Sequence, residues 1–171
     1  GLTGVISAEL ENLFKENLKT LPHGPARVAL PKPSPGSQKL LIVKGDFRAT
    51  GIHLGMPTNI LRGGKDYPAM YIASLGFGKH RSSMGRLMKN VREIRGLNYG
   101  TYSYIEEFPR GGRHLDEQVL VSRSQQAFTL WGRPTPVENG CFLLKQLTYE
   151  LQQLTAVENG GLTAEEFQKA K

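Results

Sequence analysis

Arg92 and Tyr99 stand seven residues apart in REIRGLNYGTYSY, with Gly96 and Leu97 between them. An arginine fork recognises carbonyl or carboxylate oxygens, and a phenolic O–H donates to an oxygen that gains negative charge. Side by side, the two can orient a peptide bond and stabilise its oxyanion. Taken singly, an arginine on a helix face and a tyrosine in a sheet need no function at all.

Other candidate chemistry in the chain is incomplete. HLDEQ sets His114 and Glu117 at the spacing of an inverted zincin motif, but Gln118 occupies the place of the closing histidine. Gly111 and Gly112 beside it favour a loop histidine over a ligand on a helix. His23, His53 and His80 are scattered without metal-ligand spacing, so no zinc site is expected in this segment. RGGKD (62–66) lacks the upstream glycine and the hydroxyl residue after Lys65 that a phosphate-binding loop needs, and it reads as a turn. There is no Gly-x-Ser-x-Gly elbow, and the single cysteine, Cys141, falls in a helical pattern where a small buried apolar role is expected. SLGFGKHRSSMG (74–85) is equally readable as an anion cradle and as a loop between helices.

Composition bounds these readings. The 171 residues, 39% hydrophobic, suit one globular domain and are too few for two comfortable ones. No apolar run approaches the ~20 residues that span a bilayer, so no membrane span is expected. The compartment is left open. The net charge of +7 is uneven: Lys79, Arg81, Arg86, Lys89, Arg92 and Arg95 face only Glu93, giving +5 in one short stretch. Such a stretch serves nucleic acid, a peptide substrate or simply solvent.

Periodicity supplies the elements that must carry Arg92 and Tyr99. Ser7 caps a pattern of Leu10, Leu13, Phe14, Leu18 and Leu21 that predicts an amphipathic helix. Pro25, Pro31, Pro33 and Pro35 make Gly24–Ser37 an extended connection. Lys39–Val43 predicts a short strand, Gly45 and Asp46 a turn, and the alternation of Thr50, Ile52 and Leu54 a second strand. Asp66 and Pro68 open a mostly apolar helix ending among Gly76 and Gly78. Met84, Leu87, Met88, Val91 and Ile94 form one helical stripe, with Arg86, Lys89 and Arg92 off the core face and Gly96 as its stop. From Tyr99 to Glu106 the chain alternates as a strand. A polar excursion, PRGGRHLDE (109–117), precedes two strand-like runs, QVLVSRS (118–124) and AFTLWGR (127–133). Thr135, Pro136 and Glu138 read as a capping box for a helix carrying Phe142, Leu143, Leu147, Leu151 and Leu154. Asn159, Gly160 and Gly161 end that helix, and Thr163 with Glu166 caps a last one, expected to be cut short at Lys171.

REIRGLNYGTYSY resembles the RE-x-RGL-x-Y signature of the insulinase-type zinc metallopeptidases, the family of pitrilysin and the mitochondrial processing peptidase. GVISAELENLFKENLKTLP, ILRGGKDYPAMYIASLGFG and the closing PVENGCFLLKQLTYELQQL with NGGLTAEEFQKAK extend the resemblance, in order, over nearly the whole chain. It implies an α+β fold, a mixed, mainly antiparallel sheet covered by helices, as one domain (1–171) of a longer peptidase chain. It also implies that zinc belongs to a partner half carrying HxxEH, in the same chain or a partner subunit, while this half carries none. By the same resemblance Arg92 binds backbone carbonyls of a peptide substrate and Tyr99 donates to the scissile carbonyl as it becomes an oxyanion. The alternatives are a catalytically inactive scaffold or partner subunit, and a nucleic-acid-binding module for which only the basic stretch speaks.

Overall fold

Ser7 Oγ accepts a hydrogen bond from Leu10 N at 3.2 Å and so caps helix α1, Ala8–Lys19. Glu9 and Glu11 lie in its first turn and Lys19 in its last, the polarity that the helix dipole favours. The computed structural model describes residues 3–26, 28, 31, 34, 36–80, 82–106, 126–156 and 158–170, which fall into two compact units. The first, Gly1–Pro31, contains α1, in which no residue is buried.

The second unit, Lys32–Lys171, holds the sheet. Its strands are β1 (Ala49–Thr58), β2 (Thr101–Tyr104) and β3 (Gln126–Pro136), arranged in the order β1-β3-β2 with both pairings antiparallel. One parallel bridge, Lys79 to Ser103, adds to them. Ile52 faces Gly132 and Leu54 faces Leu130 across the β1–β3 ladder, which slips between Thr50 and Ile52. The helices are α2 (Tyr67–Gly78), α3 (Gly140–Thr155) and the short α4 (Ala164–Lys169), and a π-helical stretch runs over Met88–Glu93. Phe77, Leu87, Val91, Leu130, Leu143 and Leu147 form the centre of the core, each at most 1% exposed. Gly132 lets α3 approach the sheet: a methyl group there would stand 3.1 Å from Leu147 and 3.2 Å from Leu143. Among the described residues this is the expected α+β arrangement, with a mainly antiparallel sheet and helices packed on it.

Several expectations are corrected. Lys39–Val43 forms no strand, and Leu40, Leu41, Ile42 and Val43 lie exposed. Among the described residues their apolar, β-prone sequence has no hydrogen-bonded neighbour, without which a strand has no ladder. Thr135 and Pro136 do not cap a helix: β3 continues through both, pairing them with Thr50 and Ala49. The Thr135 hydroxyl donates instead to Leu97 O, a 3-10 turn covers Val137–Asn139, and α3 starts at Gly140. Cys141 is exposed, on the outer side of α3. Met84 and Ile94 are also exposed, at 60% and 63%: Met84 lies in the turn before the helix, and Ile94 follows the π-helical stretch, whose wider winding shifts the face. Arg86 is no surface cation but a buried residue. The strand expected from Tyr99 to Glu106 shortens to Thr101–Tyr104. The excursion at 109–117 and the run 118–124 lie outside the described residues.

Candidate functional site

Arg92 occupies the last turn of the π-helical stretch, which ends in a left-handed glycine, Gly96, at φ 59°. Gly96 N donates to Arg92 O at 2.9 Å, and Leu97 N donates to Val91 O at 3.0 Å. Both bonds span one residue more than in the usual glycine helix stop, as a π-wound end requires. The chain then reverses toward β2. Asn98 Nδ2 donates to Thr101 Oγ1 at 3.0 Å and to Arg133 O at 3.1 Å, tying the turn to β3.

This reversal brings the two candidate residues together. Arg92 Cζ lies 4.3 Å from the centre of the Tyr99 ring, a cation–π stack. On its own helix the guanidinium also meets the thioether of Met88, with Nη1 3.7 Å from Sδ. Met88 is buried with Tyr102 and Tyr104, and half-buried Trp131 packs against them. His80 stacks on Tyr102 with the ring centres 4.9 Å apart, and its Nδ1 lies 2.9 Å from the Tyr104 hydroxyl. Tyr99 itself is 73% exposed, and no described residue hydrogen-bonds its hydroxyl. The site thus presents a flat cation held over a ring, beside a phenolic donor open to an incoming group.

Three other cations of the basic stretch have partners. Lys79 Nζ donates to the Tyr71 hydroxyl at 2.9 Å, and Arg95 Nη1 donates to Asn90 O at 3.0 Å. Arg86 grips Glu166 through both Nε and Nη2 and also donates to Gly161 O at 2.6 Å. Burial works against ionisation of Glu166. The bonds from Arg86 and from the Thr163 backbone outweigh it, so the carboxyl stays below its ordinary range. The same bond to Glu166 raises the Arg86 guanidinium above its ordinary range. Glu150, which is buried, accepts from Asn90 Nδ2 at 2.9 Å and from Gln146 Nε2 at 2.6 Å.

Nothing in the local sequence marks Arg86 as the partner of Glu166, eighty residues away, and the aromatic group around Met88 was legible only as strand alternation. RGGKD is a turn, and its Arg62 pairs with Glu106 at 2.6 Å. Among the described residues no three His, Cys, Asp or Glu side chains converge to hold a metal ion. His114 and Glu117 lie outside those residues.

No family model matches the chain, and no curated protein matches it. In structure it is similar to the crystal structure of a peptidase M16 inactive domain from Pseudomonas fluorescens, with a TM-score of 0.68 and 23% sequence identity. The likeness covers 95% of this chain but only 35% of that one, so this chain spans about a third of its length. At that identity the likeness is one of fold: the chain has the fold of the matched third of that peptidase domain.

Proposed function

We propose that this chain is the substrate-positioning, non-zinc domain of a zinc metalloendopeptidase that hydrolyses peptides in an enclosed chamber. The single observation that carries the reading is the placement of Arg92 over Tyr99, 4.3 Å from the ring centre, with the tyrosine hydroxyl open and lacking a partner among the described residues. The stack restrains the guanidinium beside the open tyrosine hydroxyl, so Arg92 receives backbone carbonyls of an extended peptide. Tyr99 donates to the scissile carbonyl oxygen as the carbonyl carbon becomes tetrahedral and negative charge gathers on that oxygen. Zinc, bound in a HxxEH-bearing half of the same chain or of a partner subunit, supplies Lewis-acid activation of water. The residues of this chain bind and orient the substrate. The shared fold with a peptidase domain supports the reading.

That neighbour is described as an inactive domain, which favours a second reading: a catalytically inactive scaffold or partner subunit. Substitution of Tyr99 separates the two. Tyr99→Phe keeps the exposed ring under Arg92 and removes the donor. Peptide hydrolysis by the parent chain, or by this half mixed with its zinc-bearing partner, is expected to fall roughly 10²-fold with an unchanged melting curve. Wild-type turnover in Tyr99→Phe removes the positioning role and leaves the scaffold.

A further inference from the structure

Among the described strands β1 lies at the edge of the sheet, and no described strand pairs with the other side of its ten residues. Sheet edges of that length are normally covered, bulged or guarded by charge. Just upstream, Leu40, Leu41, Ile42 and Val43 are 81%, 86%, 66% and 73% exposed, and no backbone hydrogen bond joins them to another described residue. Four consecutive exposed aliphatic residues are an unusual surface for a soluble domain and mark a contact site. The first of them, Leu40, lines a groove of about 580 Å³ together with Leu54 and Met56 of β1, Phe128 and Leu130 of β3, and Leu151 of α3. The groove lies over the β1–β3 pair beside α3 and reaches the core.

Charge says what fits there. Lys39, Lys44 and Arg48 flank the aliphatic run, all exposed and without an ion pair among the described residues, and Asp46 is the one acid in that span. A second copy of this chain brings the same cations and is repelled. We infer that this surface receives an extended apolar segment of another protein flanked by carboxylates. The segment adds to the free edge of β1 as a strand, rests its side chains on Leu40–Val43 and in the groove, and meets the three cations with its acidic ends. Main-chain bonds to β1 supply affinity, and the apolar and acidic side chains supply selection. The inference is independent of Arg92 and Tyr99.

The probe is a short synthetic peptide of alternating valine and threonine with a pair of glutamates at each end, and a twin with lysines in their place. Fluorescence anisotropy with the whole chain is expected to show the glutamate peptide binding about tenfold more tightly than its twin, less so as salt is added. Ile42→Asp, at an exposed position, is expected to abolish binding with no change in melting temperature. Hydrogen exchange of the complex is expected to slow along β1. Four results overturn the inference: no binding, equal affinity for the two peptides, Leu40–Val43 amides already protected in the free chain because its own run closes the edge, or a concentration-dependent dimer in sedimentation. The last would assign the surface to a second copy.

Discussion

Arg86 and Arg92 come from one basic stretch, yet Arg86 is 9% exposed against Glu166 while Arg92 lies over a ring at the surface. Their substitutions should separate accordingly. Arg92→Lys keeps the charge but loses the planar fork and most of the stack on Tyr99, so KM for peptide is expected to rise about tenfold with little change in melting temperature. Glu166→Gln acts on stability instead. It leaves Arg86 buried without its charge partner and is expected to destabilise the chain by about 3 kcal/mol, read by urea unfolding. Glu166 also predicts a pH dependence. Its folded value lies below that of the unfolded chain, so its contribution is fully present above the ordinary carboxyl value of 4.5 and fades as pH falls through the lower folded value. The gap in unfolding free energy between wild type and Glu166→Gln should therefore narrow on acidification below that value. An undiminished gap at strongly acid pH would show that the ion pair does not make the difference.

Helix ends were the most legible elements, because a cap is a local transaction between a side chain and the next turn. Ser7, the Asp66–Pro68 start and the Thr163–Glu166 capping box all stand where sequence places them, although Asp66 makes no side-chain cap bond. The reversal between Arg92 and Tyr99 was legible for a related reason: only a residue tolerant of positive φ ends the helix so abruptly, and Gly96 provides it. Thr135-Pro-x-Glu138 carries the same cap signature and misleads, since the pairing of Pro136 with Ala49 comes from a strand far back in the chain. Lys39–Val43 fails likewise, because strand propensity cannot name a neighbour. Arg86–Glu166 is equally non-local, and the approach of Gly85 to Gly78, though the two are only seven residues apart, carries no sequence signature. A methyl on Gly85 would stand 2.4 Å from Gly78 Cα, backbone that cannot swing aside. Gly85→Ala is accordingly expected to cost about 3 kcal/mol. Gly96→Ala meets open space but must hold φ 59°, at about 1 kcal/mol. Denaturant midpoints that rank Gly96→Ala as the more harmful would contradict this packing at the Gly78–Gly85 crossing.

At the scale of the molecule, the distribution of cations and histidines bears on what the chain binds. Its net charge is +7; within the basic stretch Arg86 is buried against Glu166, while Arg92, Arg95 and Lys79 keep their charge against neutral partners, and no nucleic-acid recognition motif surrounds them. Duplex DNA is expected to bind weakly and to lose that binding steeply as salt rises. Nanomolar, sequence-selective binding at physiological salt would instead promote the nucleic-acid reading. Zinc is the sharper test of the division of labour proposed between two halves. A tightly held zinc needs at least three protein ligands at about 2.0–2.3 Å. His80 is stacked on Tyr102 and bonded to Tyr104, His53 stands exposed on β1, and His23 lies in the other compact unit. No three His, Cys, Asp or Glu side chains converge among the described residues, and the HLDEQ sequence offers His114 and Glu117 without the closing histidine. The dialysed chain is therefore expected to contain far less than one zinc per molecule by atomic emission. Mixing with a HxxEH-bearing half should bring both metal and peptidase activity. One firmly bound zinc in this chain alone would place the metal here and reverse the assignment of the two halves.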